Sequence, residues 1–107
     1  WQRVLGEQDG LSGLVAVDDH NQPVGLATMV FHRSTWSATY YCYLEDLFVD
    51  QGVRGGGIGR ALIEAVYAEA DRRQASRTYW ATKADNHQAR RLYDTLARCE
   101  DFVQYRR

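Results

Sequence analysis

Residues 49–60 read Val-Asp-Gln-Gly-Val-Arg-Gly-Gly-Gly-Ile-Gly-Arg, and the hydrophobic period changes across them. Before this run, residues 38–49 (ATYYCYLEDLFV) are dense in aromatic and branched side chains, which predicts a long central strand. After it, Ile58, Leu62, Ala65 or Val66, and Ala70 recur at helical spacing. That spacing predicts a helix over 57–74 with Arg60, Glu64, Glu69 and Arg73 on its polar face. A central strand that runs through glycines directly into a helix opens a crossover of the α/β class.

The flanking segments extend this pattern. Residues 77–82 (RTYWAT) predict a short strand, 86–97 a second helix with Ala89, Leu92, Tyr93 and Leu96 on one stripe, and 101–105 (DFVQY) a last strand. On the N-terminal side, 13–18 and 24–31 are apolar runs that flank Asp-His-Asn-Gln-Pro at 19–23, the composition of a hairpin turn. Residues 1–12 carry a short apolar turn and then Gly, Asp and Ser, which predicts the end of a helix entering a loop. The expected order is three strands, helix, strand, helix, strand, with antiparallel hairpins and one right-handed crossover in a mixed sheet.

Composition narrows the function classes. A chain of 107 residues suits a single domain, and 45% apolar with 25% charged residues and one proline is the make-up of a globular protein. With 13 basic and 14 acidic residues the net charge is -1, too little field to hold a polyanion, so nucleic acid is not the expected ligand. Cys42 and Cys99 form neither a CxxC pair nor a disulfide framework, which fits a reducing cytoplasm, and both are expected to pack as small apolar groups. No apolar run approaches the roughly 20 residues that span a bilayer, so no membrane partner is expected. The chain opens on Trp1 and not on methionine, consistent with a missing N-terminal segment.

The glycines carry the chemical signal. Residues without side chains let an anion approach backbone N–H groups, and the first turn of a helix adds unpaired donors and the positive end of its dipole. No Lys-Ser/Thr follows the glycines and Gly55, Gly57 and Gly59 do not form GxGxxG, so neither nucleotide-binding fingerprint fits. The bland alternative is a tight or flexible strand-to-helix turn.

The run from Arg54 through Gly55, Gly56, Gly57 and Ile58 to Gly59 resembles the Arg/Gln-x-x-Gly-x-Gly/Ala loop of GCN5-related N-acetyltransferases, the GNAT family. Two further stretches match in order: Leu-Glu-Asp-Leu-Phe-Val at 44–49, and Asn86 followed seven residues later by Tyr93. The resemblance is strongest over 38–98, and within the family it is greatest to the yeast histone and polyamine acetyltransferase group. It implies a GNAT fold, a mixed central sheet flanked by helices. Family members usually have a first strand and two helices ahead of the hairpin, of which at most the tail would remain, so residues 1–107 are expected to be one N-acetyltransferase domain, N-terminally incomplete.

The resemblance also implies site residues. The backbone of Leu47, Phe48 and Val49 would pair with the pantetheine arm of acetyl-CoA, and the amides from Gly55 to Arg60, Gly56, Gly57, Ile58 and Gly59 included, would cradle its pyrophosphate. Arg54 is the family's loop residue, alternatively a surface charge. Asn86 would touch the cofactor near the thiol, although it also suits a helix N-cap. Tyr93 would protonate the coenzyme A thiolate, or else serve as core. Sheet edges in the family often pair across subunits, so a homodimer or higher homo-oligomer is expected.

Acetyl transfer to nitrogen needs a neutral amine. A lysine-type amine of pKa about 10.4 costs about 4–5 kcal/mol to deprotonate at pH 7, an α-amino group about 1 kcal/mol. A base, an oxyanion donor and an acid for the thiolate would therefore speed the reaction. Glu45 and Asp46 are neighbours on the predicted strand, so their side chains should point to opposite faces. Glu45, which corresponds to the glutamate proposed as a water-linked base in the resembling polyamine enzymes, is the expected base, with electrostatic attraction of a cationic substrate as its alternative. His20, His32 and His87 show no metal-ligand spacing, and neither a metal site nor a catalytic role is expected of them. The acceptor could be a small amine, a polyamine, an amino acid or a lysine side chain, and a non-catalytic acyl-CoA-binding module is the rival reading.

Overall fold

The computed structural model describes residues 2–4, 10–53 and 56–107. Five strands, β1 (Gln2–Val4), β2 (Leu11–Val17), β3 (Pro23–His32), β4 (Tyr40–Val49) and β5 (Ala75–Tyr79), form one sheet in the order β1-β2-β3-β4-β5. The first four are antiparallel neighbours, whereas β5 joins β4 in parallel. Two helices, α1 (Ile58–Arg72) and α2 (His87–Leu96), follow β4 and β5.

Local chemistry explains the connections. Asp18 closes the β2–β3 hairpin, its Oδ1 accepting the N–H groups of His20 at 2.8 Å and Gln22 at 2.9 Å, while Asn21 takes the left-handed conformation at φ 60°. Asx side chains favour both features. Gly10 starts β2 with φ 80°, and a Cβ there would stand 2.6 Å from the carbonyl oxygen of Phe31. Only glycine fits where Gly10 O accepts the Phe31 N–H at 2.8 Å.

The apolar stripe of α1 crosses one face of the sheet. Leu62, Ile63 and Val66 are fully buried against Ala27, Met29, Phe31, Cys42 and Leu44. Glu69 is also buried, but it accepts hydrogen bonds from Arg72 and Arg73, and Arg73 stacks 4.5 Å over the Phe31 ring. The Arg72 hydrogen bond outweighs burial and holds the Glu69 carboxyl below its ordinary range. Burial has the opposite effect on the Cys42 thiol, pushing it from 9.0 up to about 11.

These shifts predict the pH range of stability. Cys42 is ionised more readily unfolded than folded, so stability is full below pH 9.0 and falls as pH rises through about 11. Two units correspond to about 3 kcal/mol for this one group. Glu69 acts in the reverse sense: its contribution is present at neutral pH and is lost on acidification below the ordinary carboxyl range. Urea titrations between pH 7 and 11 check the alkaline limb, and Cys42→Ala should flatten it.

Four expectations are corrected. The described part of residues 1–12 is strand and not helix: Gln2–Val4 pairs with β2 through Gln2↔Ala16 and Val4↔Leu14, and the rest of that reading on 1 and 5–9 lies outside the described residues. Three residues are too few to show a period, and the partner strand decides. The strand placed at 77–82 runs instead over Ala75–Tyr79, because Gln74 turns the chain at φ 60° and Trp80 leaves the sheet to pack on Tyr67 and Tyr93. Residues 101–105 form no strand: Phe102, Val103 and Tyr105 are 87%, 77% and 92% exposed. Alternation cannot hold a strand without a neighbour to take its hydrogen bonds. Cys42 packs as a small apolar group, but Cys99 is exposed.

Candidate active site

Strands β4 and β5 are paired only from Tyr40↔Ala75 to Tyr43↔Tyr79. Beyond that pair they part, and among the described residues no strand covers the β5 side of Leu44 to Phe48. On its other side β4 stays bonded to β3, with Leu47↔Ala27, Phe48↔Leu26 and Val49↔Gly25. The result is a fork with a half-free strand edge as one arm.

A β-bulge bends that arm. Thr28 pairs with Asp46 and Met29 with Leu44, leaving Glu45 as an extra residue in β4. The core-facing positions shift accordingly, from Cys42 and Leu44 before the bulge to Leu47 and Val49 after it. Glu45 and Asp46 therefore both project from the face away from α1, and both are exposed. The expectation that they point to opposite faces assumed a regular strand and is corrected. Asp46 accepts the Thr28 hydroxyl at 2.7 Å, whereas Glu45 has no hydrogen bond to a described residue.

At the end of β4 the chain enters α1 through glycine. Gly57, the N-cap residue, sits at φ 80° without a side-chain cap, and a Cβ there would meet nothing within 4 Å. The first helical bond runs from Ala61 N–H to Gly57 O at 3.0 Å, so the amides of Ile58, Gly59 and Arg60 precede the helical ladder. Arg54 and Gly55 lie outside the described residues.

Gly59 is where three elements meet. A Cβ on it would lie 3.3 Å from Leu92 Cδ2 and 3.9 Å from Val49 Cγ2. Arg60 donates to Thr95 Oγ1 at 2.8 Å and Tyr67 Oη donates to the Leu96 carbonyl at 2.8 Å, fixing α2 beside the first turns of α1. Asn86 caps α2, accepting the Ala89 N–H at 3.4 Å, and its amide donates to Thr82 Oγ1 at 3.2 Å. Tyr93 is half-buried, edge-on to Trp80 at 5.4 Å, and burial raises its phenol above the ordinary value, so it holds its proton at neutral pH. Among the described residues its hydroxyl has no partner and no buried polar side-chain atom lacks one, so solvent reaches it.

The sequence profile of the Acetyltransferase (GNAT) family matches residues 1–97. The chain belongs to the GNAT family. Among relatives, it is 37% identical over 98 residues to the D-amino-acid N-acetyltransferase HPA3 of Saccharomyces cerevisiae, covering 91% of this chain and 61% of that protein. An integron cassette protein from V. cholerae is 27% identical with a TM-score of 0.83, over 92% of this chain and 60% of the other. An aminoglycoside acetyltransferase from an uncultured soil metagenomic sample shares the fold with a TM-score of 0.84 at 23% identity, over 94% and 66% of the two chains. The chain thus spans about three fifths of the curated relative's length.

The GNAT chain gathers most of the residues picked out by sequence. Val49, Gly57, Ile58, Gly59 and Arg60 meet at the α1 N-terminus beside α2, which carries Asn86 and Tyr93. Glu45 and Phe48 lie on the other face of β4, where Phe48 is 58% exposed. Sequence reasoning missed one group on that face: His32 Nε2 and Tyr79 Oη, from β3 and β5, stand 2.6 Å apart. They are 47 positions apart in the chain, and no local spacing announces them. Among the described residues no three His, Cys, Asp or Glu side chains cluster as a metal site.

Proposed function

We propose that the chain is the donor-binding core of an N-acetyltransferase that moves the acetyl group of acetyl-CoA directly to a primary amine in a ternary complex. The observation that carries this is the fork: a strand edge left open past Tyr43 is followed, after a 3-10 turn at Gln51–Val53, by a glycine-capped helix start. An extended amide-bearing arm can pair with such an edge as an added strand. A pyrophosphate suits free amides at the positive end of a helix dipole. The pantetheine arm of acetyl-CoA would lie along Leu47, Phe48 and Val49, and its pyrophosphate against Arg54 and the amides of 55–60. Asn86 would reach the donor near its thiol.

Attack by the amine forms the N–C bond, and collapse of the tetrahedral intermediate breaks the C–S bond. Tyr93, a phenol that stays protonated at neutral pH, would give its proton to the departing thiolate. Glu45, exposed on the bulge, would receive the amine proton through a water. Asp46 beside it and Asp85 near the α2 start add negative charge that favours a cationic acceptor. The name of the yeast relative puts an amino acid first among acceptor classes, ahead of polyamines, small amines and lysine side chains. A homodimer in the cytoplasm is the proposed working state.

The test is coenzyme A thiol release with a panel of amines, run beside acetyl-CoA binding by calorimetry. Acceptor-dependent thiol release supports the proposal. Binding with no such release for amino acids, spermidine or lysine peptides identifies a non-catalytic acyl-CoA-binding module instead.

A further inference from the structure

On the sheet face away from α1, three strands contribute to one aromatic cluster. The His32 ring is edge-on to Tyr41 at 5.6 Å and to Tyr79 at 5.8 Å, and Tyr43 lies 4.9 Å from Tyr79. The hydrogen bonds in this cluster run in one direction. His32 Nδ1 lies 2.9 Å from the Arg33 carbonyl oxygen, and since a carbonyl can only accept, Nδ1 carries the hydrogen. In the neutral ring Nε2 then has the lone pair, and the Tyr79 hydroxyl donates to it at 2.6 Å. Phenylalanine at 79 would fill the same space, so packing alone does not call for the hydroxyl.

The place of this pair gives it a use. Tyr43↔Tyr79 is the last pairing before β4 and β5 separate, so the Tyr79 ring leaves the sheet at the fork, beside Tyr43, and its hydroxyl reaches across β4 to His32. Glu45 follows two residues beyond Tyr43 on the same face, and Tyr79 is 37% exposed, open to a molecule arriving there.

We infer that Tyr79 and His32 form a proton relay that deprotonates the acceptor amine, Tyr79 touching the ammonium and His32 acting as the base behind it. The inference rests on the acetyl-transfer proposal and refines it at one residue, leaving Glu45 to attract the cation. An ammonium N–H bond breaks as its proton passes to Tyr79 Oη. At the same time the Tyr79 O–H bond breaks as its proton passes to His32 Nε2, and the amine nitrogen keeps the electron pair for attack on the thioester. Tyr79 ends as a neutral phenol, and the imidazolium stays held by Nδ1–H to the Arg33 carbonyl until it gives its proton to solvent. Burial keeps the Tyr79 phenol protonated, reinforced by Tyr43 and Tyr41 and opposed by Arg77. Arg33 over the Tyr40 ring and Arg77 over the Tyr41 ring are cations beside the cluster.

Two substitutions separate proton transfer from positioning. Tyr79→Phe keeps the ring, and His32→Gln keeps an acceptor for the phenol but cannot accept a proton. For each, kcat/KM is measured from pH 6 to 10 with an α-amino acceptor and a lysine-type acceptor, alongside acetyl-CoA binding. We expect both variants to lose about 100-fold or more at pH 7. The loss should shrink as pH approaches the amine's own pKa, and acetyl-CoA affinity should stay within about twofold of wild type, as the pair lies off the helix start. Nitrogen NMR of wild-type His32 should show the Nδ1–H tautomer. pH profiles of both variants that superimpose on that of an active wild type, or an Nε2–H tautomer, would overturn the relay and leave the acetyl-transfer reading standing. A wild type that binds acetyl-CoA and acetylates no amine overturns both.

Discussion

Tyr93→Phe is expected to reduce turnover by roughly 100- to 10,000-fold, equivalent to about 3–5 kcal/mol of transition-state stabilisation, while acetyl-CoA binding is unchanged. The substitution is conservative for packing: the ring stays edge-on to Trp80 and against the Leu92 side of the core. The lost hydroxyl has no described partner, so stability should change by no more than about 0.5 kcal/mol. What disappears is the one phenol on α2, and with it the proton proposed for the thiolate. Steady-state thiol release and calorimetric binding, measured on the same preparation, give both quantities. A phenylalanine variant that turns over at the wild-type rate removes Tyr93 from the mechanism.

Leu62→Ala is expected to be the most destabilising of the single core truncations, at about 3 kcal/mol, a large share of the total for a domain of this size. Leu62 is fully buried and seats α1 on the sheet where β3 has no side chain: a Cβ on Gly25 would come within 2.9 Å of Leu62 Cδ1. Truncation opens a void at the contact that sets the height of α1 above β3 and β4. Thermal midpoints should fall by about 10–20 °C. Gly25→Ala should destabilise as well, through Leu62 and through the Phe48 carbonyl oxygen at 3.2 Å. The two effects should not add. The new methyl group enters the space that leucine vacated, so the double variant should be at least about 0.5 kcal/mol more stable than the sum predicts. Simple additivity would show that Gly25 and Leu62 do not share one packing site.

Much of this architecture was legible in the chain. The period switch at 49–60 located β4 and α1, and polar residues around Pro23 marked the hairpin, because both signals are local and each residue contributes to them. The strand at Gln2–Val4 and the unpaired tail at 101–105 were misread because a strand depends on a partner that sequence spacing does not contain. The same distinction divides the site. The glycine run, Asn86 and Tyr93 are close enough in sequence to read as motifs, and the fold brings α2 against Gly59 through Leu92. The Glu45 bulge is visible only in the β3 register, and the hydrogen bond between His32 and Tyr79 only once β3, β4 and β5 lie side by side.

The extra residue in β4 also sets a counting rule for the strand. Odd and even positions exchange their meaning at Glu45: an apolar side chain is needed at 42 and 44, then at 47 and 49. Pairing the same residues with β3 as a regular strand would turn Leu47 and Val49 outward and drive Asp46 and Phe48 into the core, whereas loss of Glu45 would restore plain alternation and leave both faces as they are. Length at this point is thus part of the message, much as a reading frame is. An alignment that sets β4 against an unbulged strand must open a one-residue gap at 45, or it will assign the inner and outer faces of the last four residues in reverse.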